Sequence, residues 1–194
     1  MAGRSIARLV PHPSTTFTPV DAVTASLAWT EAGALAIAFR ATGAIESLRI
    51  PPCCAPARAA GLWCHTCFEA FVMAGDGPPY HELNFSPSGE WAAYAFRGYR
   101  DGGLLDAACD PGIVVRCEPS RLALDAVVSA RSLPVLGRGG VLRLGLAAVF
   151  ESVDGVLFYW ALRHAADRPD FHRAETFTLA LAPPEHARPG AGDG

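Results

Sequence analysis

Lysine is absent from the chain: all 16 basic residues are arginines, and they stand against 19 acidic residues for a net charge of −3. No basic block or stripe is present, so nucleic acid is not an expected partner. Long apolar runs are missing too. No stretch reaches the roughly 20 residues that a spanning helix needs, and the best candidates carry a charge, as 141–146 carries Arg143. A membrane partner is therefore not expected. The first ten residues hold Arg4 and Arg8 but no continuous apolar segment, unlike a secretory signal. A cytoplasmic location is the expectation. The Gly-x-Ser-x-Gly elbow, the P-loop and the dinucleotide fingerprint are all missing. The glycine-rich 137–140 has no helix after it and reads as a turn.

Hydrophobic residues make up 51% of the 194 positions, and 35 of them are alanines. The rest, roughly a third of the chain, are strong core formers, ordinary for a globular protein. The dominant pattern is short strands broken by Gly and Pro. Leu35, Ile37 and Phe39 alternate with alanines over 34–40, as a strand face requires. Further strands are expected at 22–29, 46–50, 62–73, 80–85, 90–96, 113–117, 122–128, 142–150, 156–162 and 177–181. Ser86-Pro87-Ser88-Gly89 joins the middle pair as a hairpin turn. Segments 54–60 and 105–109 suit single helical turns, while 98–112 reads otherwise as loop. Ten or eleven short strands with little helix predict an all-β, antiparallel, jelly-roll-like β-sandwich. A single domain is expected over residues 1–182, followed by a tail, 183–194, without core residues.

The central block carries a family likeness. Leu62-Trp63-Cys64-His65-Thr66-Cys67-Phe68-Glu69-Ala70-Phe71, then Tyr80-His81-Glu82-Leu83-Asn84-Phe85-Ser86-Pro87-Ser88-Gly89-Glu90-Trp91, resembles the DOMON-like proteins of bacteria. Those are similar to the family 9 carbohydrate-binding modules. Arg168-Pro169-Asp170-Phe171-His172 with Phe177-Thr178-Leu179 looks like the closing segment of that group. The resemblance implies a jelly-roll-like sandwich that binds a small molecule on or beside one sheet. Members of the group bind sugars or haem.

Side-chain parity sorts the faces of the two central strands. Trp63, His65, Cys67, Glu69 and Phe71 share one face of 62–73. Tyr80, Glu82 and Asn84 share one face of 80–85. The opposite sets are more apolar and suit the core between the sheets. If the strands are antiparallel neighbours, His65, Glu69, Tyr80, Glu82 and Asn84 occupy one surface. Solvated faces of antiparallel sheets are common, but large rings on a wet face are less so. A sugar site uses this mixture, with rings against C–H faces and fixed carboxylates or amides for hydroxyls. Trp63 and Trp91 are the candidate platforms; Trp160, in a segment apolar on both faces, is expected in the core. The candidate ligand-binding set is Trp63, His65, Glu69, Tyr80, Glu82, Asn84 and Trp91, for a small polar molecule or saccharide. Glu69 and Glu82 also suffice in kind for glycoside acid–base chemistry.

No cofactor or metal is expected. Cys64-His65-Thr66-Cys67 is half of a zinc site, with Cys53 and Cys54 nearby, but on a strand Cys64 and Cys67 face opposite ways. Haem, the alternative that the family suggests, would need Met73 paired with His65, His81, His164 or His172. No Cys-x-x-Cys-His follows, because Phe68 comes after Cys67. Asp170 and His172 form either a reactive pair or a turn clamp, the latter being commoner for an Asp after Pro.

Overall fold

The computed structural model describes residues 5–75, 77–105, 109–136 and 140–183. Twelve strands lie within them: β1 (Ser5–Pro11), β2 (Val20–Trp29), β3 (Leu35–Gly43), β4 (Cys67–Ala74), β5 (Tyr80–Phe85), β6 (Trp91–Gly98), β7 (Asp101–Leu104), β8 (Gly112–Glu118), β9 (Arg121–Val128), β10 (Leu142–Glu151), β11 (Leu157–Ala161) and β12 (Leu179–Leu181). Helical structure among the described residues is confined to short 3-10 turns, such as Leu62–Cys64. None is long and apolar enough to cross a membrane.

All strand pairs are antiparallel. One sheet runs β1-β2-β3-β9-β8; the longer one runs β7-β6-β5-β4-β10-β11 and closes on β1, with β12 beside β10. β1 joins the two. Ser5 to Leu9 pair with β2, and Val10 and Pro11 then pair with β11. A strand that changes sheets makes a corner of the sandwich.

Alternation places the core. Leu35, Ile37, Phe39 and Ala41 of β3 are buried, while Ala36, Ala38 and Arg40 are half-buried on the outer side. Phe39 stacks on Phe68 of β4 across the sheets, with centroids 4.9 Å apart, and Phe68 meets Phe150 of β10 edge-on at 5.8 Å. Each fully buried ring or aliphatic side chain contributes about 1.5–3 kcal/mol. Trp160 is also in this core, as its two-sided apolar setting requires.

β4 and β5 are buried on both faces. Their second face is covered by the irregular segment 163–178. There Phe71, Met73, Tyr80, Ala147, Ala161 and Phe177 form a second, smaller core. Phe177 stacks on Phe71 at 5.6 Å because Gly145 of β10 leaves room; a Cβ at 145 would lie 2.5 Å from the Phe177 ring.

Several local expectations are corrected. The strand expected at 62–73 starts only at Cys67, since Leu62–Cys64 is a 3-10 turn. Residues 46–50 give a 3-10 turn, Ile45–Ser47, and a lone bridge from Leu48 to Ser152. Residues 54–60 contain no helical turn. β1 was not expected, and β7 lies where a loop was read. The Asp-Gly-Gly-Leu of β7 has little strand propensity. It pairs because Gly102 has no side chain, where a Cβ would sit 2.0 Å from the Ala95 carbonyl oxygen. From residue 184 onward the expected tail lies outside the described residues, as do 106–108 and 137–139 of the expected turns.

Candidate functional site

The register of the long sheet decides which side chains meet. Glu69 pairs with Asn84 and Phe71 with Glu82, and Glu82 in turn pairs with Tyr94 of β6. Since paired residues share a face, Glu69, Glu82, Tyr94 and Phe96 point to the side away from the main core. Val149 and Tyr159 join them from β10 and β11. The segment 163–178 covers only part of this face. Beside it an open cleft of about 550 Å³ remains, floored by Glu69 and Glu82 and walled by Trp63, Tyr94, Phe96, Tyr159 and Phe171, with Arg100 at its edge.

The two carboxyls are deeply placed, with Glu69 3% and Glu82 4% exposed. Burial pushes Glu82 up to about 7, against an Asn84 hydrogen bond and the charge of Arg100. Burial, then the neighbouring Glu82, push Glu69 well above the ordinary carboxylate range, and Arg100 opposes them weakly. The Asn84 amide donates to Glu82 Oε1 at 2.9 Å. Asn84 Oδ1 has no partner among the described residues, and no hydrogen bond holds the Glu69 carboxyl among them.

A relay ties the cleft to its cover. The Arg100 backbone N–H donates to the Tyr80 hydroxyl at 3.2 Å, and that hydroxyl hydrogen-bonds to His172 Nδ1 at 2.8 Å. Burial, then the charge of Arg100, hold His172 down to about 4. The ring is neutral at pH 7, and its Nε2 lies 3.7 Å from Glu82 Oε2 without forming an ion pair. Arg100 has φ of +54°, a strained conformation for a side-chain-bearing residue. That turn brings its guanidinium to Asp170 at 3.1 Å. Asp170 also accepts from the Tyr99 hydroxyl, the His172 backbone N–H and Arg173. Asp170 is thus the clamp that fastens the cover to the β6–β7 turn.

Of the seven residues proposed from sequence, Trp63, Glu69 and Glu82 border the cleft. Asn84 lies beneath, bonded to Glu82. Tyr80 is packed in the second core, stacked on Phe96 at 4.8 Å, and borders a smaller hollow on the other side of His172. His65 is not on the cleft; it is exposed, with its Nδ1 2.7 Å from the buried Glu151, because the strand begins only after it, at Cys67. Trp91 is corrected as well. It pairs with Phe85 on the core-facing parity and is 6% exposed in the main core, with Arg58 5.0 Å from its ring. Tyr94 and Phe96 hold the ring positions instead. Their parity follows from the hairpin register, a signal already present in 80–96. Tyr159, Phe171 and Arg100 come from distant segments, which nothing in the local sequence connects.

Cys64 is exposed and Cys67 buried. Among the described residues no cluster of three or more His, Cys, Asp or Glu is formed that could hold a metal ion. Met73 is 2% exposed in the second core and does not border the cleft. His172 has both ring nitrogens aimed at Tyr80 and Glu82, so these residues do not fit a Met–His haem ligand pair.

No family model matches the chain, and no curated protein matches it. Among solved structures, the fold is similar to that of a candidate carbohydrate-binding protein from Bacteroides uniformis, with a TM-score of 0.65 at 13% identity, covering 90% of this chain and 84% of that one. A family 9 carbohydrate binding module from Caldicellulosiruptor kristjanssonii, in complex with cellotriose, aligns with a TM-score of 0.44 at 12% identity over 82% of this chain and 72% of that one. The chain has an all-β, antiparallel sandwich fold like that of the Bacteroides uniformis protein.

Proposed function

We propose that this protein binds a small polar ligand, of the saccharide class, in the cleft on the covered side of the long sheet. The observation that carries this reading is the cleft itself: two nearly buried carboxyls on the floor of an open hollow whose walls are aromatic rings. Ring faces accept sugar C–H surfaces, and the carboxyls accept hydroxyl protons. The likeness to a candidate carbohydrate-binding protein supports the same class. DOMON-like ancestry is part of this proposal, resting on the motif resemblance alone.

A panel of mono- and oligosaccharides tested by thermal shift and calorimetry examines the reading. At least one sugar should raise the melting temperature, and Tyr159→Ala should weaken its binding. A panel without any response overturns the saccharide assignment.

Glycoside chemistry is the second reading, favoured by Glu82 being held to about 7, where a carboxyl can still give a proton. Aryl glycosides decide between the two. Turnover that disappears in Glu82→Gln supports an enzyme; ligand recovered intact supports a binding protein.

A further inference from the structure

The floor of the cleft sets two buried acids close together with few partners to answer them. Glu69 and Glu82 are diagonal neighbours across the β4–β5 ladder, a relation that sets side chains roughly 7–8 Å apart or less. Glu82 has Asn84 as donor, whereas Glu69 has none among the described residues, although it is 3% exposed and opens on the cleft. A carboxylate so placed is costly unless a donor or cation meets it. Arg100 is the cation that reaches both acids, and its guanidinium is already committed to Asp170. The other titratable groups facing the pair are His172, Cys64, Cys67, Tyr80, Tyr94 and Tyr159. Of these only His172 can become cationic, and it is neutral at pH 7.

The walls complete the pattern. Rings attract a cation over their faces, more strongly where water is excluded. A neutral hydroxyl would give Glu69 a donor but could not balance either acid in its ionised form. An ammonium answers both needs.

We propose that the ligand carries a protonated amine, seated against Glu69 and Glu82 within the aromatic walls, so that the saccharide taken is an amino sugar. This rests on the saccharide reading above and narrows it. The amine keeps its proton; a carboxyl that was protonated in the empty cleft gives its own proton to solvent as the cation arrives. Binding is therefore linked to proton release.

The test is calorimetry on the full chain at about pH 6, in two buffers of different ionisation heat. The probes are a chitosan tetrasaccharide, its fully N-acetylated counterpart and cellotetraose. A charge-assisted contact predicts at least about tenfold tighter binding of the free-amine oligomer, with net proton release. Glu69→Gln and Glu82→Gln should each remove that preference while retaining a cooperative melt. Equal or tighter binding of the neutral oligomers overturns the amine inference and leaves the saccharide reading standing. No binding of any probe overturns the amine inference, and the saccharide reading then stands or falls on the wider sugar panel. Amine binding undiminished in both variants overturns the site, since the cation is then held elsewhere on a net-negative surface.

Discussion

Replacing Glu82 by Gln should make the protein more stable as the pH rises. Glu82 is buried, and its carboxyl titrates at about 7 in the folded chain against an ordinary value of 4.5. The folded state therefore holds this proton more tightly than the unfolded state. The sign follows from linkage: between the two values the folded chain binds more protons, so stability falls as the pH rises. Below about pH 4 both states are protonated and the group is silent. Above about pH 7 the full cost is present, roughly 3 kcal/mol from a shift of this size. Gln keeps the shape and can still accept from Asn84, but it has no charge to bury. Relative to the parent, Glu82→Gln should gain about 2 kcal/mol between pH 5 and pH 8. For a chain of this size that corresponds to roughly 4–8 °C. Thermal and urea unfolding of both proteins at the two pH values measures the difference. A variant whose advantage is the same at both would falsify the claim that Glu82 is buried and protonated near neutrality.

Three other perturbations probe separate parts of the account. Gly145→Ala places a Cβ against the Phe177 ring and should cost about 1–3 kcal/mol, seen as a lower urea midpoint; an unchanged midpoint would mean that the cover is not packed on β10. Tyr80→Phe removes the acceptor for the Arg100 N–H and the hydrogen-bond partner of His172. It should cost about 1–3 kcal/mol and speed hydrogen exchange at the Arg100 amide, and unaltered exchange there would contradict the relay. Trp91→Ala should cost about 3–5 kcal/mol as a core cavity, whereas Trp63→Ala, 52% exposed, should leave the melt nearly unchanged and weaken ligand binding; reversed effects would undo the assignment of the two rings.

The strands were legible because their signal is local. The apolar alternation of 34–40 and the turn at 86–89 each act over a few residues, and β3 and the β5–β6 hairpin formed where that signal placed them. β7 was invisible because its ladder depends on an absent Cβ at Gly102, not on any propensity. Parity brought Glu69 and Glu82 together correctly on one face. It failed for His65 because the strand begins two residues later, at Cys67, and parity has no meaning before that point. Carried across the hairpin, the same parity puts Tyr94 and Phe96, and not Trp91, on that face. The covering segment 163–178 has no apolar alternation to announce its place. Nothing local announces that Phe171, His172 and Phe177 fold back over β4, since that contact is made with residues about 100 positions away.

The central claim is that one cleft on the long sheet, floored by Glu69 and Glu82, is where a ligand goes. Two-dimensional amide spectra of the labelled protein, titrated with any sugar that raises its melting temperature, test this most directly. The account predicts shifts concentrated at Glu69, Glu82, Tyr94, Phe96, Arg100 and Tyr159, with β8 and β9 silent. Shifts that gather on the outer face of the β1-β2-β3-β9-β8 sheet instead would contradict it.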